Sequence, residues 1–257
     1  MMRSKEWLAF YRGLAERDLT IADLETTGFK PPLARVTEIS VIQASLRDGV
    51  RSQETRLINS NTIVPEQITR FTGITQAMVD RAPDAEAVWT EFFPWLNQGV
   101  LVCHNLEFDY PFMRSELDRF GMAFEKPIDQ QCCTVILSRL MLPDLPSRSL
   151  PNLVQHFRFD VGRSHRAEAD TMACWLLLER LLMELMDTDD ETLLQRFGRQ
   201  WLSDRDAAKL MGRSKRAAVD RLTQFGARMR KVGKGNTIMF QRSEIEAAID
   251  EDAGWIN

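Results

Sequence analysis

Asp23 and Glu25 stand two positions apart in the run "TIADLETTGF", Thr20 to Phe29. The run reads as a strand, and residues i and i+2 of a strand share one face. Two carboxylates are therefore aimed at one spot, just before a break at Gly28. Charges on an otherwise apolar strand are costly to bury unless something neutralises them. Further acidic residues lie in unusual places. "HNLEFD" sets Asp109 at the start of a helix, directly after an apolar strand, and "SHRAEAD" sets His165 five residues before Asp170. Taken singly, each has a plain structural role. Asp109 could cap its helix, Asp170 could be solvated, His165 could lie on the surface, and Asp23 and Glu25 could form ion pairs. Taken together, they are four carboxylates and one histidine at strand and helix ends, spread over the chain.

The elements that must position these residues can be read along the chain. A helix is expected from about Ser4 to Ala15, then a strand from Leu19 to Glu25. Val36 to Leu46 and Gln53 to Ile58 read as two more strands, joined through "RDG". Pro65 opens a short helix ending near "FTGIT", and "DAEAVWTEFFPWL" is an amphipathic helix with Pro94 as a kink or near-terminal residue. "GVLVCHN" is a short buried strand, and the helix "LEFDYPFMRSELDRFG" follows with Gly121 as its stop. "CTVILSRLML" and "LPNLVQHF" read as helices, and His165 to Met186 as one long helix. Strands first and helices later, around one sheet, point to a layered α/β or α+β domain. The acidic break "MDTDDET" suggests a boundary that divides the chain into 1–188 and 189–257.

The 257 residues suffice for one large domain or a medium and a small one, and 44% hydrophobic with 27% charged residues is an ordinary globular composition. No apolar run is long enough to span a bilayer, and the amphipathic N-terminus does not read as a signal peptide. Cys103, Cys132, Cys133 and Cys174 lack CxxC spacing and read as free core thiols of a reducing cytoplasm. The net charge of −4 conceals a split. Residues 199–242 hold 12 Lys+Arg against 3 Asp+Glu, a balance of +9, which leaves −13 elsewhere. Two units with different electrostatic tasks are implied.

Three motifs in order resemble the DEDDh superfamily of 3′–5′ exonucleases: D-x-E followed by T-T-G at Asp23 to Gly28, H-N-x-x-F-D from His104 to Asp109, and H-x-x-x-x-D at His165 and Asp170. The resemblance covers roughly Leu19 to Leu185. It implies an RNase H-like α/β fold with a mixed central sheet flanked by helices. It also implies two divalent ions, Mg²⁺ or Mn²⁺, held by Asp23, Glu25, Asp109 and Asp170, with His165 as general base. The expected substrate is nucleic acid with a free 3′ end, released as nucleoside 5′-monophosphates. Thr26, Thr27, Phe29 and Phe108 become candidates for gripping the terminal nucleotide. Both phenylalanines could equally be core. His104 and Asn105 match the second motif, where positioning or a hydrogen bond to the site backbone is as good a role as catalysis. His156 matches no catalytic position and is read as structural.

The basic end has its own order. "LSDRDAAKLMG" reads as a helix capped by Ser203 and stopped by Gly212, and "SKRAAVDRLTQFG" as a second, capped by Ser214 and stopped by Gly226. Two short strands and a last helix follow. With "DAAKLMGRS", this segment resembles the excisionase/MerR-type winged helix-turn-helix. Lys215, Arg216, Arg221, Arg228, Arg230, Lys231 and Lys234 are the expected phosphate contacts; a protein-docking surface is the alternative. The appended module favours DNA over RNA. An exoribonuclease, or a DNA-binding regulator with a non-catalytic nuclease fold, are the rival readings. Oligomeric state is not legible.

Overall fold

The computed structural model describes residues 1–162, 164–233, 235 and 237–254. It divides into two compact units, one formed by 14–136 with 147–183, the other by 1–13, 137–146 and 184–257.

The first unit is built on a five-stranded mixed sheet. Its strands are β1 (Leu19–Thr26), β2 (Val36–Ser45), β3 (Gly49–Leu57), β4 (Val100–Cys103) and β5 (Gln131–Cys133), in the order β3-β2-β1-β4-β5. β1 to β3 pair antiparallel, and β4 and β5 join parallel to β1. Helices α2 (Glu66–Thr72), α3 (Gln76–Asp80), α4 (Ala85–Leu96), α5 (Leu106–Arg119), α7 (Leu150–Phe157) and most of α8 (Ala167–Asp187) surround it, and α6 (Thr134–Met141) starts in it. An α/β fold with a mixed central sheet is therefore what the chain adopts.

The alternation of β1 sorts its two faces. Ala22 and Leu24 lie opposite Val41 and Ile39 and join Trp89 and Phe92 of α4 and Phe112 and Leu117 of α5 in one core. Asp23 and Glu25 take the other face, opposite Ser40 and Glu38. A register shift between Glu25 and Thr26 ends the regular pairing at the motif itself. Gly99, just ahead of β4, is required where it stands. Its φ is 51°, and a Cβ there would lie 2.4 Å from the Asp18 carbonyl oxygen.

Several boundaries differ from the sequence reading. β3 begins at Gly49 rather than near Gln53, and β5 is a three-residue strand whose last residue, Cys133, is the expected first residue of a helix. The long helix begins at Ala167, so His165 lies outside it. The acidic break also contains a cap, since Asp189 accepts the Thr192 amide and starts α9 (Asp190–Gly198).

The second unit contains α1 (Ser4–Leu14), α9, β6 (Trp201–Ser203), α10 (Asp204–Met211), α11 (Lys215–Phe225), β7 (Met229–Val232), β8 (Thr237–Gln241) and α12 (Arg242–Gly254). Ser203 and Ser214 cap α10 and α11, and Gly212 and Gly226 end them in left-handed conformations. The three strands form an antiparallel sheet in the order β6-β8-β7, over a small core of Leu202, Ala207, Leu222, Phe240 and Ile245. The N-terminal helix, which the sequence reading assigned to the first domain, groups with this unit. The Ser4 hydroxyl and amide both donate to Glu246, and the buried Arg242 guanidinium donates to the Met2 carbonyl. Among the described residues, no helix is long and apolar enough to cross a membrane.

One ion pair fastens the loop after β1 to α5. Arg35 meets the buried Glu116 in a fork, Nε to Oε1 at 2.7 Å and Nη2 to Oε2 at 2.8 Å. Glu116→Ala would strand the guanidinium, so it should lower unfolding free energy by about 3–5 kcal/mol in urea titration. The paired replacement Arg35→Met with Glu116→Leu should recover most of that. A single-variant loss below about 1 kcal/mol would mean that the pair behaves as a solvated one.

Candidate active site

Asp23, Glu25 and Asp170 come from β1 and from the first turn of α8, yet they offer ligand oxygens that all lie within 4.8 Å of one another. Asp109 reaches the same region from the first turn of α5. It is 3% exposed and takes a backbone hydrogen bond from Leu24. The four carboxylates read from three separate motifs are thus one electrostatic system. Burial pushes the Asp23 carboxyl well up, and repulsion from Asp109, Asp170 and Glu25 adds to it. Glu25 is pushed up to about 8, first by burial and then by Asp170 and Glu38. Asp109 is pushed up to about 8 by burial, with its backbone hydrogen bonds pulling the other way. Asp170 is also raised by burial.

Among the described residues, a neighbouring cation is committed elsewhere. Glu38, directly across from Glu25 on β2, is 1% exposed and takes both Nε and Nη2 of Arg166 together with the Ala167 amide. Glu38 therefore anchors the start of α8, the helix that carries Asp170, to the strand beside β1. Sequence reasoning missed both residues. "HRAEAD" contains the arginine, but nothing local shows that its partner lies 128 residues away.

His165 is held in the left-handed region, φ 65°, with its amide donating to Asp170 Oδ2 at 2.9 Å. Its ring stacks on Phe71 at 3.8 Å between centroids. His104 is engaged at both nitrogens, Nδ1 with the Thr134 hydroxyl at 2.8 Å and Nε2 with the Arg148 carbonyl at 2.9 Å. Burial lowers its pKa to about 4, so the ring is neutral and fastens loops. It has no nitrogen left for a substrate, contrary to its candidacy as a contact. Asn105 is exposed at φ 80° and its side chain does not cap α5.

The remaining candidates separate. Phe29 is 80% exposed, which excludes the core reading. Phe108 packs against the main core and against Phe112. The Thr26 hydroxyl donates to the Gly28 carbonyl, and the Thr27 hydroxyl accepts the Arg35 amide, so both threonines staple the turn that follows the first motif.

The tail cations are less free than their number suggests. Arg221 is bound by Glu251 and Asp252, Arg228 by Glu244 and Gln241, and Lys215 by the buried Asp204. Arg230 lies over the Trp201 ring at 4.1 Å. Lys231 is exposed, and the Arg216 side chain is 94% exposed, with Asp220 no nearer than 3.8 Å. Lys234 lies outside the described residues. Arg221, 15% exposed and bound twice, braces the unit, whereas Lys215 pairs with Asp204 while staying 66% exposed.

The profile of the family described as Exonuclease (RNase_T) matches residues 20–178, well over half of the chain. The chain belongs to this exonuclease family. All five candidate catalytic residues fall inside the matched exonuclease segment. A Mycobacterium tuberculosis protein described as a putative bifunctional exonuclease/endonuclease is 35% identical over 66% of this chain and 27% of its own length. The DNA polymerase III epsilon subunit of Aquifex aeolicus is 28% identical over 72% of this chain and 90% of its own length. Exonuclease X, solved in complex with 5′ overhanging duplex DNA, superposes with a TM-score of 0.52 at 23% identity, covering 70% of this chain and 99% of that one. The chain spans less than a third of the first of its curated relatives, which are much longer proteins.

The donor set of the exonuclease site fits a hard divalent cation. It is all oxygen, Asp109 is buried while Asp23 and Asp170 are half-buried, and its charges repel one another with the neighbouring guanidinium bound to Glu38. This has a pH signature. Glu25 and Asp109 keep their protons in the folded chain up to about pH 8, whereas unfolded carboxyls release theirs near pH 4. The folded state binds more protons between these limits, so stability falls as pH rises through them. Melting temperatures in EDTA should fall from about pH 5 to about pH 8. Added Mg²⁺ or Mn²⁺ should raise them increasingly with pH, because the ligands must deprotonate to bind. A metal-induced shift independent of pH would contradict this.

Proposed function

We propose that the protein is a divalent-metal-dependent 3′–5′ exonuclease that shortens nucleic acid, DNA in preference to RNA, and releases nucleoside 5′-monophosphates. The observation that carries the reading is the convergence of Asp23, Glu25 and Asp170 within 4.8 Å, with Asp109 charge-coupled to Asp23. Bound by these carboxylates, two Mg²⁺ or Mn²⁺ ions would supply neutralisation of the phosphodiester and a more acidic water. The chain's own residues do the rest. His165 takes the proton of the attacking water as the P–O bond to the upstream 3′ oxygen breaks. Phe29, exposed beyond the turn stapled by Thr26 and Thr27, stacks on a terminal base. This supports a grip indifferent to base identity.

The preference for DNA rests on the second unit. Two short capped helices, a tight turn and a two-stranded wing fit a winged helix-turn-helix, with Arg216 at the start of α11 and Arg230 and Lys231 on β7 as the cations open to phosphate.

The test is digestion of 3′-labelled single-stranded DNA, duplex DNA and RNA with Mg²⁺. Asp23→Ala, Glu25→Ala, Asp109→Ala and Asp170→Ala should each abolish turnover in a folded protein, and EDTA should silence the wild type. His165→Ala should cost about 10²–10⁴-fold in rate. Wild-type turnover in any carboxylate variant would remove that residue from the site.

Binding by the second unit is tested in an Asp23→Ala background across a salt series. Arg216→Ala and Lys231→Ala should each lower affinity for duplex DNA and flatten the salt dependence by about 0.9 in slope per phosphate contact. Arg221→Ala, which breaks an internal brace, should leave the slope unchanged. Equal slopes in all variants would turn the unit into a protein-docking module.

A further inference from the structure

We propose that Phe71 is a positioning residue that holds the His165 imidazole for proton transfer, an inference that rests on His165 acting as the general base. Phe71 is 56% exposed, so its aromatic ring is not explained by the core. Its ring lies 3.8 Å from that of His165, at an interplanar angle of 31°.

The platform beneath Phe71 is rigid. It lies in the last turn of α2, after which Gly73 turns left-handed at φ 80° and returns its amide to the Thr69 carbonyl. The neighbouring Thr72 is buried. Its hydroxyl donates to the Ile68 carbonyl and accepts the Ile74 amide, both at 3.0 Å. Ile74 is in turn locked into a small core with Val64 and Val79. The backbone of His165 is also held from both sides. Its own amide is bound to Asp170, and the next residue, Arg166, is forked onto Glu38. These bonds fix the main chain and leave the two side-chain torsions of the histidine open. Among the described residues no hydrogen bond engages the ring nitrogens, in contrast with His104, where both are used. The stack on Phe71 is what orients the ring while leaving its nitrogens available. Orientation of a proton acceptor matters because a misplacement near 1 Å can cost roughly 100-fold in rate.

The experiment combines a double-mutant cycle with a spectroscopic readout. Phe71→Ala should lower kcat on the order of 10- to 100-fold with KM unchanged, and Phe71→Tyr, which keeps the stack, should restore it. In a His165→Ala background Phe71→Ala should cost nothing further, because the partner through which it acts is gone. In the metal-free full-length protein, the proton resonances of His165, assigned by their loss in His165→Ala, should move downfield in Phe71→Ala and stay in place in Phe71→Tyr. An equal loss in both backgrounds, or a rise in KM alone, would overturn the role and make Phe71 a substrate contact. A large effect of His165→Ala with none of Phe71→Ala overturns the positioning role alone. Full turnover in His165→Ala overturns the base assignment, and the positioning role falls with it.

Discussion

The repulsion among Asp23, Glu25, Asp109 and Asp170 is the constraint around which the first unit is organised. Each carboxyl is raised by burial, and Asp23 and Glu25 are raised further by their neighbours. Such a cluster does not assemble by its own attraction. The scaffold must force it together, and a bound cation or a proton must complete it. Two carboxylates come free of extra effort, because strand alternation puts Asp23 and Glu25 on one face. The other two require helices to be fixed at their first turns. Asp109 and Asp170 both occupy such positions, where chain direction is set by what precedes the helix.

The fastenings are themselves ionic, and they differ from the site in being fully matched. Glu38 receives two guanidinium nitrogens and a backbone amide. Glu116 receives a fork from Arg35 and the Val36 amide. The contrast shows how the protein allots its counter-charge. Glu25 and Glu38 face each other across β1 and β2, and of the two it is Glu38 that forms an ion pair among the described residues. Without Arg166, Glu38 would add a fifth unmatched carboxylate to the cluster. With it, the same residue becomes the anchor for the helix that carries Asp170.

In the second unit, charge counted along the chain and charge available in space diverge. The +9 balance of residues 199–242 is followed by Glu244, Glu246, Asp250, Glu251 and Asp252 on α12. Four of them are bound to basic residues of the same segment: Glu244 to Arg228, Glu246 to Arg242, and Glu251 and Asp252 to Arg221. Asp250 holds Arg3, just ahead of the N-terminal helix. Much of the basic surplus therefore braces a small fold with a core of only a few residues. Arg216, Arg230 and Lys231 are, of the expected phosphate contacts among the described residues, exposed and without a close carboxylate partner.

The amino-acid sequence by itself determined what depends on near neighbours. The shared face of Asp23 and Glu25, the main strands and helices, and the caps at Ser203, Gly212, Ser214 and Gly226 all follow from periodicity and from the conformational preferences of single residues. Resemblance to three family motifs also singled out the four carboxylates and His165 as candidates. What the tertiary structure decided depends on partners far apart in the chain. It placed His165 in a left-handed turn against Phe71, closed both nitrogens of His104, separated exposed Phe29 from packed Phe108, and recruited the N-terminal helix to the second unit. It also made strands of Gln131–Cys133 and Trp201–Ser203, three residues each, too short to show a period. The physical reason is the same throughout. Local propensity is written in adjacent residues, whereas burial, ion pairing and ring stacking are settled only when segments distant in the chain, 30 residues for His104 with Thr134 and 240 for Arg242 with Met2, compete for the same few counter-charges and surfaces.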